Sequence, residues 1–219
     1  MNIIDEQYTF DINLDSNPVQ VNIDQDRYYI QIDDFYSNPH LVAELANTIP
    51  ITQSPRLCNG MPKNKFSGRS TTHYEFNHFT KIISSIIQSY YPRTRSNQSI
   101  QDSITDMSFM CQSICTSNLP HIEPHIDTDQ HGRFAATIGL TPDAECRGGT
   151  SFYTRLGDVE DTTQEYVTDT TPKWQLDAIA PLAWNRLILY PSAYWHTAYV
   201  KPEWYTSQDN LRITQQFFI

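Results

Sequence analysis

The stretch PHIEPHIDTD, residues 120–129, holds two histidine-x-acid triplets, His121 with Glu123 and His125 with Asp127. On an extended strand, residues i and i+2 point to one face with Cα atoms about 6.6 Å apart. A histidine and a carboxylate so placed can both turn onto one cation. Residues 121, 123, 125 and 127 share parity, yet Glu123 to Asp127 covers about 13 Å of extended chain, so one ion cannot use all four. Pro124 interrupts hydrogen-bonded pairing just after the first triplet. The second is followed by the turn-like Thr128-Asp129-Gln130-His131-Gly132, which places it where a strand meets a loop. The spacing therefore favours His125 and Asp127 over His121 and Glu123, and leaves Asp129 and His131 as spare candidates that read better as turn residues.

Two ligands do not make a tight site. His196 is the one histidine after His131, and it follows NRLILYPSAYW, which reads as a strand, a Pro-Ser turn and the start of another strand. Two histidines and one carboxylate on one face of an octahedral ion leave three positions open, an arrangement suited to non-haem iron(II). Sixteen residues past His196, NLRITQQFFI alternates Arg212, Thr214, Gln216 and Phe218 on one face with Ile213, Phe217 and Ile219 on the other. A guanidinium fork beside a hydroxyl matches the two oxygens of a carboxylate. A dicarboxylate could then chelate the metal at one end and meet Arg212 and Thr214 at the other. Gln112 and Tyr190, on strands of suitable parity, are candidates for the same pocket or for ordinary core positions.

The elements that must position these residues are mostly strands. Residues 8–14, 19–23 and 27–32 read as short strands. Asn38 then precedes Pro39 as a helix N-cap, and the helix spans residues 39–48. Residues 50–72 read as loop. Phe76, Phe79, Ile82, Ile83, Ile86 and Ile87 recur at helical spacing within a second helix, residues 73–90. From residue 104 the pattern turns to strands at 106–116, 134–141, 150–154, 186–190, 196–200 and 211–219, the rhythm of a sandwich, barrel or jelly roll. Residues 155–180, with Asp158, Glu160, Asp161, Glu165 and Asp169, read as a solvated loop or a lid over a site.

Without linker or repeat, 219 residues make a single domain the economical reading, with residues 1–103 supporting a core at 104–219. A formal net charge of -10 disfavours nucleic acid and anionic lipid as partners. No apolar run approaches the roughly 20 residues of a membrane span, and MNIIDEQYTF lacks the basic and apolar regions of a signal peptide. The four cysteines have no metal-like spacing. A reducing, cytoplasmic setting is expected.

His125-x-Asp127, His196 and Arg212-x-Thr214 together resemble the iron(II)/2-oxoglutarate-dependent dioxygenase superfamily. GGTSFY, residues 148–153, is similar to the Gly-Gly turn and strand of prolyl-4-hydroxylase-like members. NRLILYPS with WHTAYV resembles their strand, turn and histidine, and IDDFYSNPHLVAELA resembles the lead-in of bacterial relatives of unassigned substrate. One departure is the insert KPEWYTSQDN, which makes the gap from His196 to Arg212 longer than is usual. The resemblance implies a mainly β (α+β) fold, a double-stranded β-helix or jelly roll buttressed by N-terminal helices. It implies Fe(II), 2-oxoglutarate and O2 as cofactor and cosubstrates, metal ligands His125, Asp127 and His196, and cosubstrate contacts from Arg212 and Thr214. The implied reaction hydroxylates a C–H bond of a small molecule or peptide, with release of succinate and CO2.

Two other readings fit the same residues. A cupin-like jelly-roll enzyme using a metal without 2-oxoglutarate would keep the three ligands and have no need of Arg212. A noncatalytic jelly-roll binding module would need none of them.

Overall fold

The computed structural model describes residues 10–48, 77–92, 106–112, 123–127, 134–142, 146–158, 167–201, 204 and 212–219, with backbone alone at 47–48, 77–80 and 106–112. The strands are β1 (Val19–Asn22), β2 (Tyr28–Ile32), β3 (Asp106–Gln112), β4 (Phe134–Gly139), β5 (Gly149–Arg155), β6 (Trp174–Pro181), β7 (Leu187–Pro191), β8 (His196–Tyr199) and β9 (Arg212–Phe218). The helices are α1 (Pro39–Thr48) and α2 (Asn77–Tyr90). Among the described residues, no helix is long and apolar enough to cross a membrane.

The strands form two antiparallel sheets. The larger has the order β1-β2-β7-β4-β9-β3 and the smaller β6-β5-β8. A bridge between His125 and His196 adds residues 123–127 beside β8. From β3 onward the chain passes between sheets: β3 large, 123–127 small, β4 large, β5 and β6 small, β7 large, β8 small, β9 large.

Period-two alternation assigns each face its partner. Leu187 and Leu189 of β7, Phe134, Ala136 and Ile138 of β4, and Ile213 and Phe217 of β9 share the larger core with Val42 and Ala46 of α1 and Ile83 and Ile87 of α2. The intervening Ile188, Tyr190 and Ala135 join Tyr29 of β2, Phe152 of β5 and Ala180 of β6 in a second core between the sheets. The helices thus buttress the side of the large sheet that faces away from the small one.

Two backbone features lock this arrangement. Gly148 has φ +93°, and a Cβ there would lie 2.4 Å from the carbonyl oxygen of Tyr199. Only glycine fits this entry into β5. Asn185 adopts φ 57°, a conformation its short polar side chain tolerates. Its Oδ1 accepts from Tyr36 N at 2.8 Å, and its Nδ2 donates to Tyr36 O at 2.9 Å. Its backbone N–H reaches Gly139 O at 2.7 Å, and its carbonyl accepts from Phe35 N at 2.9 Å.

Several sequence expectations change. Residues 174–181, within the stretch read as loop, form the edge strand β6 against β5. The alternating Trp174, Leu176, Ala178 and Ala180 are apolar, but Asp177 and the acidic residues before it make the segment look solvated. Asp177 is held by Arg27, whose guanidinium also reaches Tyr153 O and Thr154 Oγ1. Residues 10–14 form one isolated bridge, Ile12 with Tyr36, rather than a strand. Their role is packing, through Phe10 and Ile12. Residues 50–72, 73–76, 113–116 and 159–166, with His121, Asp129 and His131, lie outside the described residues.

Candidate metal centre

The centre begins with a cross-strand pair. His125 N donates to His196 O at 2.9 Å, and His196 N donates to His125 O at 3.0 Å. Two residues paired in this way direct their side chains to the same face, and the ring centroids are 4.6 Å apart. Asp127 is drawn in by its own backbone, which donates to Ser192 O at 2.9 Å. Ser192 sits in the turn between β7 and β8, closed by Tyr194 N donating to Pro191 O at 3.1 Å. The Pro-Ser turn thus holds the carboxylate against the histidines.

His196 Nε2 is 3.1 Å from Asp127 Oδ2, and His125 Nε2 is 3.7 Å from Asp127 Oδ1. One ligand atom from each of the three residues lies within 4.8 Å of the other two. The opposite ring nitrogens are also engaged. His196 Nδ1 is 2.8 Å from Tyr194 O, and His125 Nδ1 is 3.3 Å from Glu123 O. A carbonyl can only accept, so each Nδ1 carries a proton, and in the neutral ring Nε2 is then the nitrogen free to ligate. Carbonyl-bound Nδ1–H groups are the usual outer support of metal-ligating imidazoles. The donor set and its tautomers therefore fit a divalent transition metal.

Although half of the His125 side chain stays exposed, the protein packed around it, and next the neighbouring His196 ring, lower its pKa from the ordinary value against the opposing pull of Asp127. This keeps the imidazole neutral, the form that ligates. His196 is packed by Tyr190, whose ring meets it edge-on at 4.9 Å, and Tyr190 in turn meets Phe152 at 5.1 Å. Burial, with Asp127 nearby, pushes the Tyr190 phenol well above its ordinary pKa, while Thr150 and Arg212 act in the opposite sense. Tyr190 thus stays a neutral phenol, within electrostatic reach of both Asp127 and Arg212.

Arg212 and Thr214 are buried on β9, on the face opposite Ile213 and Phe217. Thr214 Oγ1 is buried and makes no hydrogen bond among the described residues. A buried hydroxyl left without a partner is costly, and a carboxylate from a bound molecule would satisfy it. The buried hydroxyl beside a guanidinium therefore fits a carboxylate. Gln112 pairs with Arg212 in the β3–β9 register, and its side chain lies outside the described residues.

Glu123, the acid of the first triplet, binds Lys173 Nζ through both oxygens at 3.0 and 2.8 Å. Sequence reasoning did not single out Lys173, nor the carbonyls of Tyr194, Ser192 and Glu123. Every residue carries a carbonyl, so only the PS turn at 191–192 offered a local signal.

No protein-family model and no curated protein matches the sequence. Among solved structures, the chain is similar to the non-haem alpha-ketoglutarate-dependent epimerase SnoN from nogalamycin biosynthesis. The identity is 12% and the TM-score 0.40, with 86% of this chain and 76% of that one covered. A likeness of that size carries no argument about chemistry, which rests on this chain's own residues.

Proposed function

We propose that this chain is an iron(II)- and 2-oxoglutarate-dependent oxygenase that hydroxylates a C–H bond of a small molecule or peptide. The observation that carries the reading is the convergence of His125, Asp127 and His196 ligand atoms within 4.8 Å, with the outer nitrogen of each imidazole at a carbonyl. The passage of the chain between two antiparallel sheets, which would suit a double-stranded β-helix, supports the reading.

His125, Asp127 and His196 would hold the metal, which with 2-oxoglutarate supplies the oxidising chemistry. Arg212 and Thr214 would hold the far carboxylate of 2-oxoglutarate through charge-assisted hydrogen bonds. Tyr190 packs edge-on against His196, and Phe152 against Tyr190, which would fix the imidazole's orientation. Three open positions on the ion would admit the two chelating oxygens of the cosubstrate and one further small molecule.

The test is succinate formation from 2-oxoglutarate with Fe(II), ascorbate and air, with candidate substrates screened by mass spectrometry for gain of one oxygen. Arg212→Ala is expected to weaken 2-oxoglutarate binding roughly 30-fold or more while leaving metal affinity unchanged. Absence of both 2-oxoglutarate binding and succinate formation overturns the proposal. Metal binding alone would point to a jelly-roll enzyme that works without that cosubstrate.

A further inference from the structure

The two imidazoles are supported unequally. The His196 side chain is 7% exposed, on a strand and packed by Tyr190, whereas the His125 side chain is 50% exposed. Residues 123–127 join β8 through a single bridge, and Pro124 has no N–H to extend it. A further hold on residues 123–127 would steady this more exposed ring.

We propose that the Glu123–Lys173 ion pair is that hold, and that Lys173 is a positioning residue for the metal centre. This rests on the metal reading above. The connection is continuous. The Lys173 carbonyl accepts from Leu156 N at 2.8 Å, and its ammonium lies 5.6 Å from the centre of the buried Trp174 ring. That ammonium grips both oxygens of Glu123, and the Glu123 carbonyl receives the Nδ1–H of His125. Exposed ion pairs typically contribute little. Here the Lys173 side chain is only 16% exposed, and the contact is two-pronged. The acid of the first histidine triplet thus serves the second, orienting its imidazole rather than binding the ion.

The experiment is a Co(II) titration of the full chain, read by calorimetry and by the visible spectrum of the bound cobalt, for Glu123→Gln, Lys173→Met, the double variant and Lys173→Arg. Each of the first two is expected to weaken Co(II) binding about tenfold and alter the spectrum. The double variant is expected to be no weaker than either, and Lys173→Arg to return most of the affinity. Asp33→Asn, which breaks the separate pair with Arg186, is expected to leave both readouts unchanged. If Lys173→Met does not fold, Glu123→Gln carries the same expectation. Single variants within twofold of wild type and spectrally identical to it overturn the inference. A wild-type chain that takes up no cobalt overturns the metal reading instead.

Discussion

Both faces of β9 are largely buried, the helix side more completely, yet they are finished differently. Toward the helices, Ile213 and Phe217 pack into the larger core, and the one amide among them, Gln215, accepts the Tyr36 hydroxyl at 2.7 Å. Toward the small sheet stand Arg212 and Thr214, and the Thr214 hydroxyl makes no hydrogen bond among the described residues. A face that only holds a fold together has its polar groups matched internally. A face with a buried hydroxyl left over, as at Thr214, has room for a partner from a bound molecule, which is the role proposed above. Alternation along seven residues of one strand separates scaffold from chemistry.

The contrast can be broken most severely from the scaffold side. Phe217→Ala removes a fully buried ring and is expected to cost about 3–5 kcal/mol, read from the urea midpoint. On the other face, Thr214→Val removes the unmatched hydroxyl at nearly constant volume. Stability is expected to hold or rise by up to about 1 kcal/mol, while 2-oxoglutarate affinity falls severalfold in a binding titration. A loss of stability instead would show that the hydroxyl is matched within the chain.

The smallest effect lies in pH. His125 has a folded pKa below the ordinary 6.5, so the folded state binds fewer protons than the unfolded one as pH drops. The corresponding stability is present above pH 6.5 and is lost as pH falls from there through the lower folded value. Urea midpoints at pH 7.5 and 5.5 are expected to differ less in His125→Gln than in wild type. Equal differences would mean that this imidazole is not held neutral by its surroundings.

Much of the framework was legible because its signals are local. Pro39 opening α1 after Asn38, and the aliphatic runs of β4 and β7, mark their elements within a few residues. β6 was not legible. Its Asp177 side chain is only 8% exposed, matched by an arginine 150 residues earlier. A charge matched so far along the chain looks, locally, like a solvated one. The centre divides the same way. His125 and Asp127 share a strand face by spacing, but their meeting with His196 depends on a sheet register that no single segment encodes. Lys173 gave no sign at all, since its partner lies 50 residues away.

Asn185 carries a consequence for how the chain is made. Its hydrogen bonds to Tyr36 join positions 149 residues apart. At roughly 5–20 residues per second of synthesis, about 7–30 s pass between their appearances. Phe10, Ile12, Phe35 and Tyr36 share their core with residues of β2, both helices, β4 and β7. A nascent chain stalled before Asn185 therefore lacks the amide that ties Tyr36 to the far side of the core, so this tie closes only late in synthesis.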